Sequence, residues 1–421
     1  MPGSLLGTAV VRVEDPELLE GRGTYVANLR VDGLLHLRFV RSTVAHARVT
    51  SIDTSDAAAM PGVVAVLTAA DLPLPAHHGI IVLNPAGPRP PLATDTVYFV
   101  GDPVAVVVAE TAAQAEDAAE AVIVDYEPLD SLIDMETALA DDAPQLYEGV
   151  PGNLIAGQRS AADDSIFEGA DVIVRVRVEN QRIAVMPMEG NSIAVVPGAD
   201  GQGHDLTIHV STQMPHGLAN MVAGVFELPV ESLRVVTPHV GGGFGGKAGL
   251  IAEHSAVIGV ARHLNRPVTW TENRSENLVA MAHGRGQVQY VEMGFTNDGT
   301  IVGMRVRSVG DAGAYAGFGG ALLLGPSRMM AQGERVVAAV VGGAHQRGVR
   351  EHVAAQEVLE PQLDRVDAEL VGGDVHDPFE HRRRLGATGP AECTHRRGGR
   401  RRHRSLEADA GDAVHALRHH A

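Results

Sequence analysis

The chain has 421 residues, 45% hydrophobic and 20% charged, which is typical of a soluble globular protein with two or three domains. Its formal net charge of −18 disfavours general nucleic-acid binding. Its single cysteine excludes an internal disulfide framework and fits a reducing, cytoplasmic location. We find no apolar run of about 18 residues and no basic, apolar N-terminal leader, so we expect neither a membrane span nor a secretory signal.

Residues 1–127 form a predicted α/β unit. Apolar runs at 35–40 (LHLRFV), 62–68 (GVVAVLT) and 102–109 (DPVAVVVA) predict strands, the last buried on both faces. The Ala-rich, acidic segment 111–123 predicts a helix capped by Thr111. Residues 128–165, richer in Asp, Pro and Ala, are predicted to be an interdomain linker.

Residues 166–333 form a second predicted α+β unit. Its predicted strands are residues 172–178, 206–211, 232–238, 267–271, 286–295 and 300–309, and its predicted helices are residues 215–225 and 250–263. The Asn-Asp-Gly sequence at 297–299 predicts a hairpin between the last two strands.

Residues 334–421 differ from the rest of the chain. They hold 14 arginines against 14 acidic residues and 9 of the 20 histidines, with no sustained helical or strand period. A disordered polar tail is the favoured interpretation. A basic nucleic-acid arm is disfavoured by the interleaved acids, and a zinc site at Cys393 and His395 lacks a second pair of ligands.

The most distinctive segment is residues 240–249 (VGGGFGGKAG), which contains Lys247, the only lysine of the chain. A glycine-rich turn between a predicted strand and a predicted helix offers unpaired backbone N–H groups to an anion. A glycine turn with a purely structural role is the alternative.

Two nucleotide-binding patterns overlap this glycine segment. Gly241, Gly243 and Gly246 match GxGxxG, and Glu272 follows the next predicted strand, as a ribose-binding acid would in an NAD(P)-dependent Rossmann enzyme. A nucleoside triphosphate loop is disfavoured because Ala248 stands where the Mg²⁺-binding hydroxyl is required.

Several collinear segments resemble one enzyme family. They are residues 12–25 (RVEDPELLEGRGTY), 39–48, 62–72, 101–126, 181–189 (QRIAVMPME), 211–213 (STQ), 240–247, 266–276, 283–285 and 311–315 (DAGAY). The chain is identified as a member of the molybdenum-binding large subunits of the xanthine dehydrogenase and aldehyde oxidase family, most similar to the carbon monoxide dehydrogenase branch. The resemblance implies an α+β fold, with a hammerhead α/β domain at 1–127 and the first molybdopterin-binding domain at 166–333.

The resemblance also implies chemistry, cofactors and partners. The implied reaction is hydroxylation of an aldehyde, N-heterocycle or carbon monoxide with oxygen from water. The implied cofactor is molybdenum–molybdopterin in its cytosine dinucleotide form, with [2Fe–2S] clusters and FAD on partner subunits. By the same resemblance, Gln213 hydrogen-bonds a molybdenum oxo ligand without ligating the metal. The remaining implied cofactor contacts are Gly242, Gly243, Phe244, Gly245, Gly246 and Lys247.

Two departures from the family limit the inference. Ala248 replaces the glutamate of purine-hydroxylating members, so a purine substrate is not expected. After residues 327–333 (SRMMAQG) the family pattern stops, and no residue can be assigned as the family's glutamate base. We therefore expect a truncated or frameshifted chain with impaired activity, or a non-catalytic scaffold that docks partner subunits.

Overall fold

The computed structural model describes residues 7, 9–157 and 162–316. The predictions for residues 317–421, including the tail and the frameshift, lie outside this part. The helices, numbered in chain order, are α1 (Asp15–Leu19), α2 (Ser55–Ala58), α3 (Ala112–Glu120), α4 (Pro215–Phe226), α5 (Ala252–Leu264) and α6 (Arg274–Ala280). Single 3-10 turns cover Val26–Asn28, Thr137–Leu139, Pro151–Asn153, Asp164–Phe167 and Val230–Ser232.

Thirteen strands are present among the described residues. They are β1 (Leu35–Arg41), β2 (Ala47–Asp53), β3 (Val63–Thr68), β4 (Thr96–Val97), β5 (Pro103–Ala109), β6 (Ile123–Pro128), β7 (Val172–Asn180), β8 (Ser192–Pro197), β9 (Leu206–Val210), β10 (Leu233–Val236), β11 (Val268–Thr271), β12 (Gln287–Phe295) and β13 (Ile301–Gly310). The mixed helix and strand content confirms the predicted α+β class. None of the helices in this part has the length and apolar character needed to cross a membrane.

The largest sheet joins the two predicted domains. Its seven strands run in the order β10-β9-β8-β11-β1-β5-β3, and β1 lies parallel to β11 with Leu35 opposite Val268. Strand β5 is buried at every position, as its continuous apolar sequence predicts. The cofactor segment and the N-terminal segment therefore share one core.

Two helices on this sheet follow from local sequence. The Thr111 side chain accepts a hydrogen bond from the Gln114 N–H, which confirms the predicted cap of α3. Helix α5 is buried at every position from Ala252 to Ala261. Most of its own residues in this range are small or β-branched, so the helix has no polar face in this range. It ends at Leu264, and the following C-cap residue, Asn265, closes the last turn with a left-handed φ of 48°.

A separate three-stranded sheet, β13-β12-β7, carries the predicted hairpin between β12 and β13. The alternating sequence at residues 172–178 predicted a strand, and these residues lie in β7. Its Val172, Val174, Val176 and Val178 side chains are nevertheless 40–51% exposed, so this apolar face is not covered by the described residues.

The segment predicted to be a linker is packed against other residues. Leu132, Leu146, Val150 and Ile155 form a small hydrophobic cluster with Ala312. The buried Asn153 holds it together by donating to the carbonyls of Ala138 and Pro144 and accepting from the N–H of Leu146.

The sequence analysis missed helices α1, α2 and α6 and strands β2, β4 and β8. Strands β2 and β8 are short, and neither has a long regular period. Helix α6 has only seven residues, although the reciprocal capping box between Asn273 and Glu276 marks its start.

Candidate cofactor-binding site

The glycine loop, residues 241–247, lies between β10 and α5, as predicted. It does not open the helix directly, because α5 begins at Ala252. The first turn of α5 instead contains Glu253, which is buried and paired with Arg41 at 2.9 Å. The helix N-terminus therefore lies beyond the loop, and the donors at this turn are the N–H groups of the loop itself.

Three residues of the loop have a left-handed backbone conformation. Gly242, Phe244 and Gly245 have φ values of 99°, 49° and 87°. Loops that combine left-handed and right-handed residues can present successive N–H groups to an anion. The N–H groups of Gly242, Gly243 and Phe244 make no hydrogen bond within the described part of the chain, whereas that of Gly246 donates to the Gly243 carbonyl at 2.8 Å.

Gln213 fixes the second half of the loop. Its Oε1 accepts from the N–H of Gly245 at 2.9 Å and of Lys247 at 3.4 Å, and its own N–H donates to the Lys247 carbonyl. Its Nε2 has no partner among the described residues and can donate outward. The N–H of Gly245 is thus engaged by Gln213, although the sequence analysis predicted that Gly245 approaches the cofactor.

The absence of a side chain at Gly243 lets the loop lie directly against Gln213. A Cβ at this position would come within 2.5 Å of the Gln213 side chain. Because real Cβ atoms do not approach other atoms so closely, any larger residue would displace Gln213 from the loop. The backbone of the loop therefore approaches Gln213 closely at this position.

Lys247 points into the protein. Its side chain is fully buried, and its Nζ lies 2.9 Å from Oε2 of Glu189. Burial lowers the pKa of Lys247, while Glu189 acts in the opposite direction. The ammonium group is directed at Glu189 in the protein interior. Lys247 therefore stabilises the loop through this buried ion pair.

The sequence analysis missed Glu189. One sequence feature could have indicated it. Lys247 lies in an apolar, glycine-rich segment, and a charged side chain that is buried there requires an acidic partner. The acid of the MPME segment was a candidate, but 58 positions separate it from Lys247.

The exposed side of the loop is apolar. Phe244 is 76% exposed, and Met188 and Met186, on the segment that runs beside the loop, are 91% and 53% exposed. A Cβ on Gly242 would meet the Phe244 ring at 2.8 Å and Pro187 at 3.4 Å, so the two segments lie against each other. Large exposed apolar groups of this kind mark a binding surface.

Glu272 does not occupy the place of a ribose-binding acid. It is 6% exposed and accepts hydrogen bonds from the N–H and Nδ2 of Asn191 and from Nδ2 of Asn277. Burial raises its pKa. Glu272 is therefore not available to bind a ribose, and the interpretation as a Rossmann enzyme loses its acidic residue.

Comparisons with known proteins identify the family of this chain. The nicotinate dehydrogenase large molybdopterin subunit of Eubacterium barkeri is 32% identical over 320 residues, which cover 76% of this chain and 73% of that subunit. This chain belongs to the xanthine dehydrogenase and aldehyde oxidase family of molybdenum-binding subunits. Residues 20–130 match the family model of the aldehyde oxidase and xanthine dehydrogenase a/b hammerhead domain, and residues 146–333 match that of the molybdopterin cofactor-binding domain.

Two further relatives place the chain in this family. The carbon monoxide dehydrogenase large chain of Hydrogenophaga pseudoflava is 36% identical over 72% of this chain. The crystal structure of quinoline 2-oxidoreductase from Pseudomonas putida 86 superimposes with a TM-score of 0.73, at 34% identity over 80% of this chain and 44% of that one. The match covers 72% of this 421-residue chain but only 39% of the length of the carbon monoxide dehydrogenase large chain.

The loop fits the cofactor that the family model names. Three neighbouring N–H groups and Nε2 of Gln213 have no partner among the described residues, and all four are donors. An oxo-anionic group requires donors. Among the described residues, no group of three or more His, Cys, Asp or Glu side chains could hold a metal ion directly.

Proposed function

We propose that this family member is the cofactor-binding subunit of a molybdenum hydroxylase, and that the cofactor is seated on the exposed face of the glycine loop. The observation that carries this proposal is the set of free N–H groups on Gly242, Gly243 and Phe244 beside the free Nε2 of Gln213. These donors are fixed before any ligand arrives, because the loop ends are bonded to the protein. Preorganised donors stabilise negative charge more effectively than donors that must reorient.

Each part of the loop has a distinct task in this proposal. The free N–H groups and Nε2 of Gln213 bind and orient the anionic part of the cofactor. Phe244 and Met188 present an apolar surface that excludes water from the reacting side. When bound, the molybdenum cofactor supplies oxygen derived from water and accepts the electrons that the substrate releases.

The substrate is proposed to be a small molecule with an electron-poor carbon: an aldehyde, an N-heterocycle or carbon monoxide. This proposal rests on the family, whose members here include the carbon monoxide dehydrogenase chain and quinoline 2-oxidoreductase. A purine is disfavoured because Ala248 offers no carboxylate beside the loop.

The remaining cofactor and partner assignments extend the family pattern. We propose the cytosine dinucleotide form of molybdopterin, an iron–sulfur small subunit with [2Fe–2S] clusters, and a medium subunit that binds FAD. Relatives are named as large chains and subunits, which supports assembly with other chains. We propose that the assembly is cytoplasmic, consistent with a single cysteine.

Turnover is proposed to be weak in the 421-residue chain. Among the described residues, the carboxylate that contacts the loop is Glu189, and it is engaged by Lys247 and by the N–H of Gly241. A carboxylate that is held in place by two donors is not free to reach a substrate. Cofactor binding is therefore the property to measure first.

Metal and cofactor analysis tests the proposed function. The full chain is purified from a host that makes the molybdenum cofactor, with and without co-expressed partner subunits. We expect molybdenum and pterin in equal amounts bound to the chain, and no saturable binding of NAD(P). A chain free of molybdenum and pterin under both conditions, or one that binds NAD(P) stoichiometrically, would contradict the proposal.

A further inference from the structure

Glu189 connects the two ends of the glycine loop. Its Oε2 accepts a hydrogen bond from the N–H of Gly241 at 2.7 Å and from Nζ of Lys247 at 2.9 Å. Its own N–H donates to the Gly241 carbonyl at 3.1 Å. One carboxylate oxygen thereby holds the first and last residues of the loop together. We call this arrangement of Gly241, Lys247 and Glu189 the loop clasp.

The loop clasp is a buried charge pair. The Glu189 side chain is 12% exposed and that of Lys247 is fully buried. A buried ammonium without its counter-charge is strongly unfavourable, so the pair is kept closed by the cost of separating it. The second carboxylate oxygen, Oε1, is also buried and has no partner among the described residues.

The loop clasp and Gln213 together determine which N–H groups face outward. Glu189 engages the N–H of Gly241, and Gln213 engages those of Gly245 and Lys247. The three N–H groups that remain free are the consecutive ones between these attachments. If the Glu189 attachment is removed, the first end of the loop is no longer fixed, and the three donors lose their common direction.

We propose that Glu189 is a positioning residue for the cofactor site, acting through the loop clasp and not through contact with the cofactor. This inference rests on the proposed function, since it assigns Glu189 a role in seating the same cofactor. It predicts that the loop clasp and the cofactor stabilise each other: the bound cofactor holds the loop in the clasped form, and the closed loop clasp raises cofactor affinity.

The composition of the chain supplies a direct probe of the loop clasp. Because Lys247 is the only lysine, acylation by an amine-directed reagent, mapped by mass spectrometry, reports on this one side chain separately from the N-terminal amine. A fully buried, paired ammonium reacts only when the loop clasp opens. The labelling rate therefore measures opening without any cofactor or enzymatic activity.

The test compares wild-type full chain with Glu189→Gln and with the matched control Glu276→Gln. Glu276 is also buried, at 6% side-chain exposure, and is paired with Arg38 and Arg41 away from the loop. In Glu189→Gln the glutamine can still accept from Gly241 but cannot neutralise Lys247. We expect labelling of Lys247 to accelerate by at least about tenfold in Glu189→Gln and to stay at the wild-type rate in Glu276→Gln.

The cofactor supplies the second readout. We expect the molybdenum content of Glu189→Gln to fall by at least about tenfold, and the circular dichroism of any remaining pterin to change. The control variant, Glu276→Gln, is expected to lose thermal stability but to keep the wild-type molybdenum content and the wild-type circular dichroism of the pterin. A Glu189→Gln chain in which Lys247 becomes reactive while molybdenum content and spectrum are unchanged would overturn the positioning role and leave Glu189 a structural residue.

Failure of the proposed function gives a different result. If the wild-type chain binds no molybdenum, the proposed function fails and the positioning role fails with it, whereas the labelling experiment still decides the loop clasp by itself. If Lys247 is labelled as fast in wild type as in Glu189→Gln, the loop clasp does not exist in solution, and this inference is wrong even where molybdenum is bound.

Discussion

Phe39 and Trp270 meet edge to face, with ring centroids 5.2 Å apart and ring planes at 89°. Phe39 lies on β1 in the hammerhead part, and Trp270 lies on β11 in the cofactor-binding part. Strand β11 leads directly into Glu272 and α6, whose C-cap Met281 approaches the loop at Gly246. The hammerhead part is thus packed against the strand that leads to Glu272 and α6.

Replacing Trp270 should destabilise the whole sheet. The side chain is 1% exposed in the largest core, and we expect Trp270→Ala to lower the free energy of unfolding by about 3–5 kcal/mol, measured by urea denaturation. Phe244→Ala is the contrasting variant, because Phe244 is 76% exposed and its loss should cost less than about 1 kcal/mol. Equal losses in the two variants would contradict the assignment of Trp270 to a shared core.

His254 should make the chain sensitive to mild acid. It is 1% exposed, neither ring nitrogen has a partner among the described residues, and burial lowers its pKa from 6.5 to about 4. The unfolded chain therefore binds a proton as the pH falls below 6.5, and the folded chain does so only near pH 4. The folded state loses about 3 kcal/mol of stability over that interval from this group.

The measurement for His254 is unfolding free energy against pH. Asp102 acts in the opposite direction, because burial raises its pKa from 3.8 to about 6 and stabilises the folded state as the pH falls through that range. We expect His254→Leu to be at least as stable as wild type at pH 7.5 and to gain relative to wild type as the pH is lowered to 4. A constant difference between the two proteins across this range would show that His254 is not buried in its neutral form.

Gln213 can be tested by a substitution that keeps its shape. Gln213→Glu retains an oxygen that accepts from Gly245 and Lys247, but it removes the outward N–H donors and adds a negative charge. We expect cofactor retention during gel filtration to weaken by about 10- to 100-fold, as for loss of a hydrogen bond to a charged group. Gln202→Glu, in an exposed turn, controls for the added charge, and equal retention in the two variants would argue against the role of Gln213.

Much of this architecture was predictable from sequence because its determinants are local. The cap at Thr111, the Asn-Asp-Gly turn at 297–299 and the apolar run of β5 each specify one element by short-range interactions. The glycine loop was recognisable for the same reason. The collinear family segments then specified the arrangement of these elements, which local patterns could not.

The parts that sequence did not predict depend on contacts between distant residues. Glu189 acquires its role only when β8 and the loop bring it to Lys247, and nothing in its immediate sequence distinguishes it from a surface acid. Glu272 occupied a plausible position for binding ribose, yet the fold buries it against Asn191 and Asn277. Burial of a polar side chain is a property of the assembled core and not of its local segment.

The most direct test of the central claim is the molybdenum content of a Gly243→Ala chain beside a Gly224→Ala control. A Cβ on Gly243 would collide with Gln213, whereas one on Gly224 in α4 meets nothing within 4 Å. We predict that Gly243→Ala loses most of its bound molybdenum and pterin while keeping the wild-type unfolding transition. Gly224→Ala should keep its molybdenum and pterin and be at least as stable as wild type, because alanine is more favourable than glycine within a helix. Wild-type molybdenum content in a correctly folded Gly243→Ala chain would contradict the claim that this loop seats the cofactor.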